Sequence, residues 1–189
     1  MEFRIKKLSS NLYFIKEYFM GILSASCKLG KIVTKTCNFF SHFVNFGVRY
    51  YLFTVFFFSG LLKTKSWEST LALFQYEYNV TWLPLPPPIV ENFHLTIPAM
   101  DPVFAAYLGT AAELILPVLL LIGIFGRIPA IILFIFNYTA LVSYPFLWTN
   151  NGIAGYMDHM FWGALIGYSL FYGYGAISLD CIIKKLKKC

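Results

Sequence analysis

The sequence has few charged residues. Asp, Glu, Lys and Arg make up 13% of the 189 residues, whereas apolar residues make up 58% and aromatic residues 20%. A soluble domain carries about 25% charged residues, so this chain has too few to cover a water-facing surface of its size. The shortage excludes an ordinary cytosolic protein and a disordered chain. Together with the mean hydropathy of +0.65, it indicates an integral membrane protein.

The sequence also lacks the residue patterns of common redox, metal and hydrolytic centres. None of its four cysteines belongs to a C-x-x-C pair, which argues against thiol–disulfide chemistry and against a zinc site. Its three histidines, His42, His94 and His159, fall at span edges or in a loop, whereas haem in a helical bundle needs ligands inside the membrane. We therefore expect no metal and no covalently bound cofactor. The catalytic residues are unknown, and the pattern favours a chain that is not catalytic on its own.

Basic residues are concentrated near the two ends of the chain. Of the 15 Lys and Arg residues, seven precede residue 44 and four lie in the last six positions. A net charge of +6 is compatible with nucleic-acid binding. In a chain with spanning segments, however, Lys and Arg accumulate on the cytoplasmic side of the membrane. We therefore predict no nucleic-acid partner and two cytoplasmic termini.

Four apolar segments are each close to the ~20 residues that cross a ~30 Å hydrocarbon layer. They run from about 44 to 62, 104 to 125, 128 to 148 and 159 to 179. Four spans place the turn at Arg127 on the cytoplasmic side with both termini, and the loop at 149–158, which has no Lys or Arg, outside. The expected fold is an all-α membrane protein with a four-helix transmembrane bundle.

Two basic segments flank the predicted four-span domain, residues 44–181. Residues 1–43 combine lysines with apolar residues at near-helical spacing, a pattern typical of an amphipathic helix on the cytoplasmic leaflet. Residues 182–189 form a basic cytoplasmic tail. The apolar positions of the N-terminal segment are Leu12, Ile15, Phe19, Ile22 and Leu23.

The outer segment, residues 63–103, has its own pattern. Its part WESTLALFQYEY, residues 67–78, is rich in aromatic residues and predicts a short helix at the membrane interface, ended by LPLPPP at 83–88. Asp101 followed by Pro102 predicts the start of the next helix, with proline in its first turn. Two interpretations stay open: a plain anchor for the bundle, or a cover over a pocket that opens outward.

Inside the predicted spans, the polar side chains that most need an explanation are Arg49, Glu113 and Asn137. An unpaired charge in hydrocarbon costs roughly 2.5–3.5 kcal/mol or more, so such groups face the bundle interior and form the candidate ligand-binding site. At about 1.5 Å per residue, the heights of Arg49 and Glu113 differ by on the order of 10 Å. Because Asn137 falls between those heights, we predict an Arg49–Asn137–Glu113 network, with Lys63 and His159 as rival partners of the carboxylate.

Asp158 and His159 lie at the outer mouth of the predicted fourth span. Histidine titrates near neutral pH, so the pair has the chemistry for proton exchange. Asp158 is also a suitable N-cap residue for that helix. A structural role and a functional role stay open for all of these polar groups.

The spans resemble the DoxX family of small four-span membrane proteins. The resemblance covers residues 46–181 and includes RYYLFTVFFFSGLLK in the first span, ELILPVLLLIGIFGR in the second, DHMFWG at the start of the fourth, and GYGAISLD at 173–180. The outer FQYEYNV also lies where family members carry an aromatic segment. The positions that match family residues are Arg49, Gly60, Lys63, Glu113, Pro117, Gly123 and Arg127.

The resemblance implies a protein of the bacterial or archaeal inner membrane. The family is named for a subunit of a terminal quinol oxidase, and its relatives include thiosulfate–quinone oxidoreductase subunits. The first hypothesis is therefore an accessory subunit of a quinone-linked redox or stress-response system, with the lipid bilayer and redox-complex subunits as partners. A quinone needs only an apolar slot and one or two hydrogen-bonding groups. The alternatives are a small carrier or permease component with Glu113 as a cation or proton site, and a non-catalytic assembly scaffold.

Overall fold

A computed structural model describes the backbone of residues 2–187 and the side chains of residues 20–187 apart from 21, 22 and 25. This part of the chain is all-helical, as predicted, with one isolated backbone bridge between Thr81 and Ala99. A short 3₁₀ helix, Pro145–Trp148, separates α5 from α6. The α-helices are α1 (Glu2–Lys65), α2 (Trp67–Tyr76), α3 (Pro87–Asn92), α4 (Pro102–Ile122), α5 (Ile128–Ser143), α6 (Ile153–Tyr172) and α7 (Leu179–Leu186).

The chain divides into two compact units, residues 1–42 and residues 43–189. The first unit is the N-terminal part of α1, up to residue 42, and the described side chains of this part are almost all exposed. Of the apolar positions predicted there, Leu23 is exposed, while the side chains of Leu12, Ile15, Phe19 and Ile22 lie outside the described residues. The last two residues of the predicted basic tail also lie outside them.

The core of the second unit is built by α1, α4, α5 and α6. Large apolar residues on the outer sides of these helices, including Ile115, Ile131 and Phe161, are exposed, as expected for helices surrounded by lipid. The buried core residues are Leu52, Phe56, Leu116, Leu120, Ala130, Leu133, Ile166 and Tyr174.

Among the described residues, α4 is the one helix that is both long and apolar enough to cross a membrane. It begins as predicted, because the Asp101 carboxylate accepts a hydrogen bond from the Phe104 N–H and Pro102 occupies the first turn. The next helix, α5, is also apolar but has 16 residues, and a 3₁₀ turn continues it. The four-span arrangement stays a prediction.

The fourth apolar segment departs from its predicted bounds of 159–179. α6 begins at Ile153 and ends at Tyr172, followed by Gly173 with a left-handed φ of +77°. The chain then turns and restarts as α7, where the Ser178 hydroxyl accepts a hydrogen bond from the Cys181 N–H. Asp158 and His159 therefore lie inside α6, and the interpretation of Asp158 as an N-cap is wrong.

The outer segment forms a helix where the sequence predicts one. α2 packs on α4 through a small core of Phe74, Ala105 and Ala106. The Thr70 hydroxyl donates to the Lys63 carbonyl at 2.9 Å, which ties the start of α2 to the end of α1. This packing places the outer segment directly beside the end of α1 that carries Lys63.

Candidate functional site

A buried ion pair joins α1 to α4. Lys63 Nζ lies 2.7 Å from Glu113 Oε2 and 2.9 Å from Oε1, and it also donates to Ser59 Oγ at 2.9 Å. The Lys63 and Glu113 side chains are only 14% and 10% exposed. Both carboxylate oxygens therefore accept charge-assisted hydrogen bonds from one ammonium group.

The local sequence explains why the two charges meet. A Cβ on Gly60 would lie 3.0 Å from Glu113 Cβ, so the two helices approach closely because this position has no side chain. Ser59 and Lys63 are four residues apart and share one face of α1. Lys63 also lies in the last turn of α1, where a cation is favoured by the helix dipole.

The ion pair borders an apolar cavity of about 360 Å³. Its walls come mainly from α4 and α5, with Gly109 and Phe136 among the lining residues, and α2 contributes Phe74. Leu108 and Ile135 also line it and are exposed on the outer sides of α4 and α5. One side of the cavity is therefore formed by residues on the surface where lipid would lie.

The outer segment supplies another part of the cavity wall. Tyr78, Val80, Trp82 and Met100 line the cavity, and the Met100 N–H donates to the Val80 carbonyl at 2.8 Å. The Asn79 N–H donates to a carbonyl at the end of α5 at 2.7 Å. Of the two interpretations of this segment, the geometry supports a cover over a pocket.

Ser143 and Tyr78 are hydroxyl-bearing residues in the wall of the same cavity. The Ser143 hydroxyl is buried and has no hydrogen-bond partner among the described residues. Burial raises the pKa of Tyr78 to about 12, and the nearby negative charge of Glu113 adds to the shift. The Tyr78 phenol therefore keeps its proton at neutral pH and remains a hydrogen-bond donor. Sequence reasoning missed both residues as site residues, because Tyr78 on the outer segment and Ser143 at the end of α5 meet at one cavity only through tertiary packing.

Arg49 lies at the opposite end of the bundle and is fully buried. Its Nη1 donates to the Leu121 carbonyl at 2.9 Å, and its Nη2 donates to the Ile177 carbonyl. The guanidinium also lies 5.5 Å from the centre of the Tyr174 ring. Arg49 is thus stabilised by the carbonyl end of α4 and by an aromatic face.

Gly123 is required where Arg49 meets the end of α4. Its φ is +67°, and a Cβ there would lie 2.8 Å from Arg49 Nη1 and 2.6 Å from Ser178 Cβ. Any other residue would strain the backbone and collide with the guanidinium. Arg49 and Gly123 therefore hold the end of α4 against α1 and against the segment before α7.

Asn137 pairs with His159 rather than with either charge. Asn137 Nδ2 donates to the His159 carbonyl at 2.9 Å, and Asn137 Oδ1 lies 2.9 Å from His159 Nδ1. Because a carbonyl only accepts, these contacts fix the amide orientation and place the ring proton on Nδ1. Asp158, the neighbour of His159, is exposed on α6.

The predicted Arg49–Asn137–Glu113 network is therefore wrong. Glu113 pairs with Lys63, one of the rivals considered from the sequence, while Arg49 bonds carbonyls seven to eight residues further along α4. At about 1.5 Å per residue, that separation is at least ~10 Å along the helix. Arg49 donates to backbone carbonyl groups at the helix end, and the residue types in the sequence do not show which backbone carbonyls lie within its reach.

Comparisons with known proteins identify one family. The model of the family described as DoxX matches residues 44–145, more than half of the chain, and confirms the resemblance seen in the sequence. No curated protein matches the chain. No solved structure matches it either.

Proposed function

Because the chain belongs to the DoxX family of membrane proteins, we propose that it is an accessory subunit of a quinone-linked redox or stress-response system. In this proposal it spans the inner membrane four times and binds a quinone head group in the cavity beside Lys63 and Glu113. A bound quinone would supply the redox chemistry. The chain would supply the slot, the hydrogen bonds and the exclusion of water.

The observation that carries the proposal is an apolar cavity that holds a few polar groups at its wall. Such a slot suits a flat ring with carbonyl oxygens, since the ring needs apolar contact and each carbonyl needs a donor. The Ser143 hydroxyl, which is buried and has no partner in the described part of the chain, and the protonated Tyr78 phenol are suitable donors. Exposed residues such as Leu108 and Ile135 at the cavity give a lipophilic molecule a route from the bilayer.

The carrier alternative receives less support from the same site. A cation bound by Glu113 would have to replace Lys63, whose ammonium group already contacts both carboxylate oxygens. Displacing Lys63 would leave a second buried positive charge beside the incoming cation, which is costly at low dielectric. We therefore favour a neutral lipophilic ligand over a cation.

Quinone binding can be tested with two matched serine variants. Ser143→Ala removes a donor at the cavity, and loss of one hydrogen bond worth about 1 kcal/mol should weaken binding of added quinone about fivefold. Ser169→Ala is the control, because the Ser169 hydroxyl is also buried and has no partner among the side chains that the structure describes, but Ser169 does not line the cavity. The measurement is a quinone titration of detergent-solubilised protein, together with extraction and quantification of co-purified quinone.

Three results would contradict the quinone proposal. Equal weakening by both serine variants would place the ligand elsewhere. Substrate-dependent proton uptake in vesicles without any bound quinone would support the carrier. A wild-type protein that binds no quinone and moves no protons would support the hypothesis of a non-catalytic assembly scaffold.

The proposed topology has its own test. We expect reporter fusions after residue 152 to score outside and fusions after residue 189 to score inside, because the loop near 152 has no Lys or Arg and both ends of the chain are basic. Each position is fused separately to alkaline phosphatase, which is active outside, and to green fluorescent protein, which fluoresces inside. The reverse pattern at either position would overturn the orientation.

A further inference from the structure

We infer that α7 binds the anionic lipid surface of the membrane, with its apolar side in the acyl-chain boundary and its lysines at the headgroups. Its apolar residues fall on one side of the helix, while its lysines fall on the others. The sequence did not predict this helix, since its first residue was assigned to the fourth span and most of the remainder to a basic tail. The inference needs a membrane but no quinone.

The apolar side of α7 is exposed. Ile182 and Leu186 are one turn apart and are 52% and 71% exposed. Beside α7, Phe125 is 59% exposed at the tip of the turn between α4 and α5. Phe125 adopts a left-handed φ of +64°, which is uncommon for a residue with a side chain. Three large apolar side chains therefore project from one end of the bundle.

Hydrogen bonds fix α7 next to this turn. The Asp180 N–H donates to the Gly123 carbonyl at 3.1 Å, and the Gly126 N–H donates to Asp180 Oδ2 at 2.6 Å. Asp180 belongs to the first turn of α7, so the helix starts in contact with the turn that carries Phe125. The exposed apolar residues on both elements are thereby held at the same end of the second unit.

The charges around the apolar side match anionic headgroups. At about 100° per residue, Lys185 and Lys187 lie on opposite sides of the stripe formed by Ile182 and Leu186. Arg127, in the neighbouring turn, is exposed as well. Lysines that flank an apolar stripe can extend to phosphates while the stripe enters the acyl-chain boundary. A second protein would also cover an apolar stripe, but cationic residues on both flanks favour an anionic lipid surface.

Lipid quenching of a fluorophore on the full-length protein tests this placement. In a background with all four cysteines replaced by serine, a probe is attached after Ile182→Cys on the apolar side or Lys184→Cys on the polar side. The protein is placed in nanodiscs of phosphatidylglycerol and phosphatidylcholine with brominated acyl chains. We expect strong bromine quenching at position 182 and weak quenching at position 184.

The charge contribution is tested with one variant on α7 and a control at the other end of the bundle. Each lysine near an anionic surface contributes about 1 kcal/mol, so Lys185→Gln should lower the ratio of docked to undocked helix about fivefold. Lys65→Gln, at the exposed end of α1, removes the same charge and should leave quenching at position 182 unchanged.

Three results would overturn the inference. Absence of quenching at 182, or equal quenching at 182 and 184, would show that the apolar side does not face lipid. Quenching that is the same in purely phosphatidylcholine nanodiscs would exclude a role for anionic headgroups. If the probe at position 182 is shielded in detergent only in the dimeric protein, the apolar stripe of α7 binds a second copy of the chain instead of lipid.

Discussion

Lys63→Leu and Glu113→Leu are each expected to lose most folded protein, whereas the double variant should recover much of it. Each single change leaves one buried charge without its opposite charge, which costs roughly 3–5 kcal/mol. Replacing both members with apolar residues removes the uncompensated charge and is often nearly neutral. The measurement is the yield of monodisperse protein after extraction in mild detergent, together with its melting temperature.

A third variant separates folding from ligand binding. Glu113→Gln keeps the shape and one accepting oxygen, so we expect a larger folded fraction than for Glu113→Leu but weaker quinone binding than in the wild type. If Glu113→Leu alone were fully abundant and bound quinone normally, neither the structural nor the functional role of the pair would hold. A double variant as poorly folded as the single variants would instead show that these positions need polar groups.

Arg49→Leu is expected to destabilise the protein without any rescue by Glu113→Leu. Removing the guanidinium takes away the donor to the carbonyls of Leu121 and Ile177, and each lost hydrogen bond from a charged group costs about 1.5–3 kcal/mol. Because the two sites are at least ~10 Å apart along α4, their effects should add within about 0.5 kcal/mol. Melting temperatures of the two single variants and the double variant measure this additivity.

Two further variants define what Arg49 does. Arg49→Lys keeps the charge but has a single ammonium group in place of a planar fork, so it should recover only part of the lost stability. Arg127→Leu removes an arginine that is exposed at the same end and should change stability by no more than about 0.5 kcal/mol. Substantial rescue of Arg49→Leu by Glu113→Leu would restore the network predicted from the sequence.

The sequence and the structure agree best where local chemistry decides the outcome. The start of α4 was predictable, because Asp101 and Pro102 satisfy requirements of the first helical turn that involve only adjacent residues. The end of α6 was not, because an apolar run continues beyond Tyr172 while Gly173 and Gly175 take positive φ angles. The α7 helix was missed for the same reason.

The polar groups show the same division at the level of the site. The sequence identified Arg49, Glu113 and Asn137 as buried polar residues, because a charge or amide inside an apolar run must turn away from lipid. It did not identify their partners. Which donor meets which acceptor depends on how the helices rotate and where Gly60 and Gly123 let them approach.

By itself, the sequence determined that this is an all-helical member of the DoxX family with charged residues inside its apolar segments. Composition, periodicity and motif spacing suffice for that, since each depends on the order of residues along the chain. Only the tertiary structure decided that Lys63 pairs with Glu113 and that the Ser143 hydroxyl, without a partner in the described residues, lies at the same cavity. These contacts join residues distant in the chain, and helix packing alone brings them together.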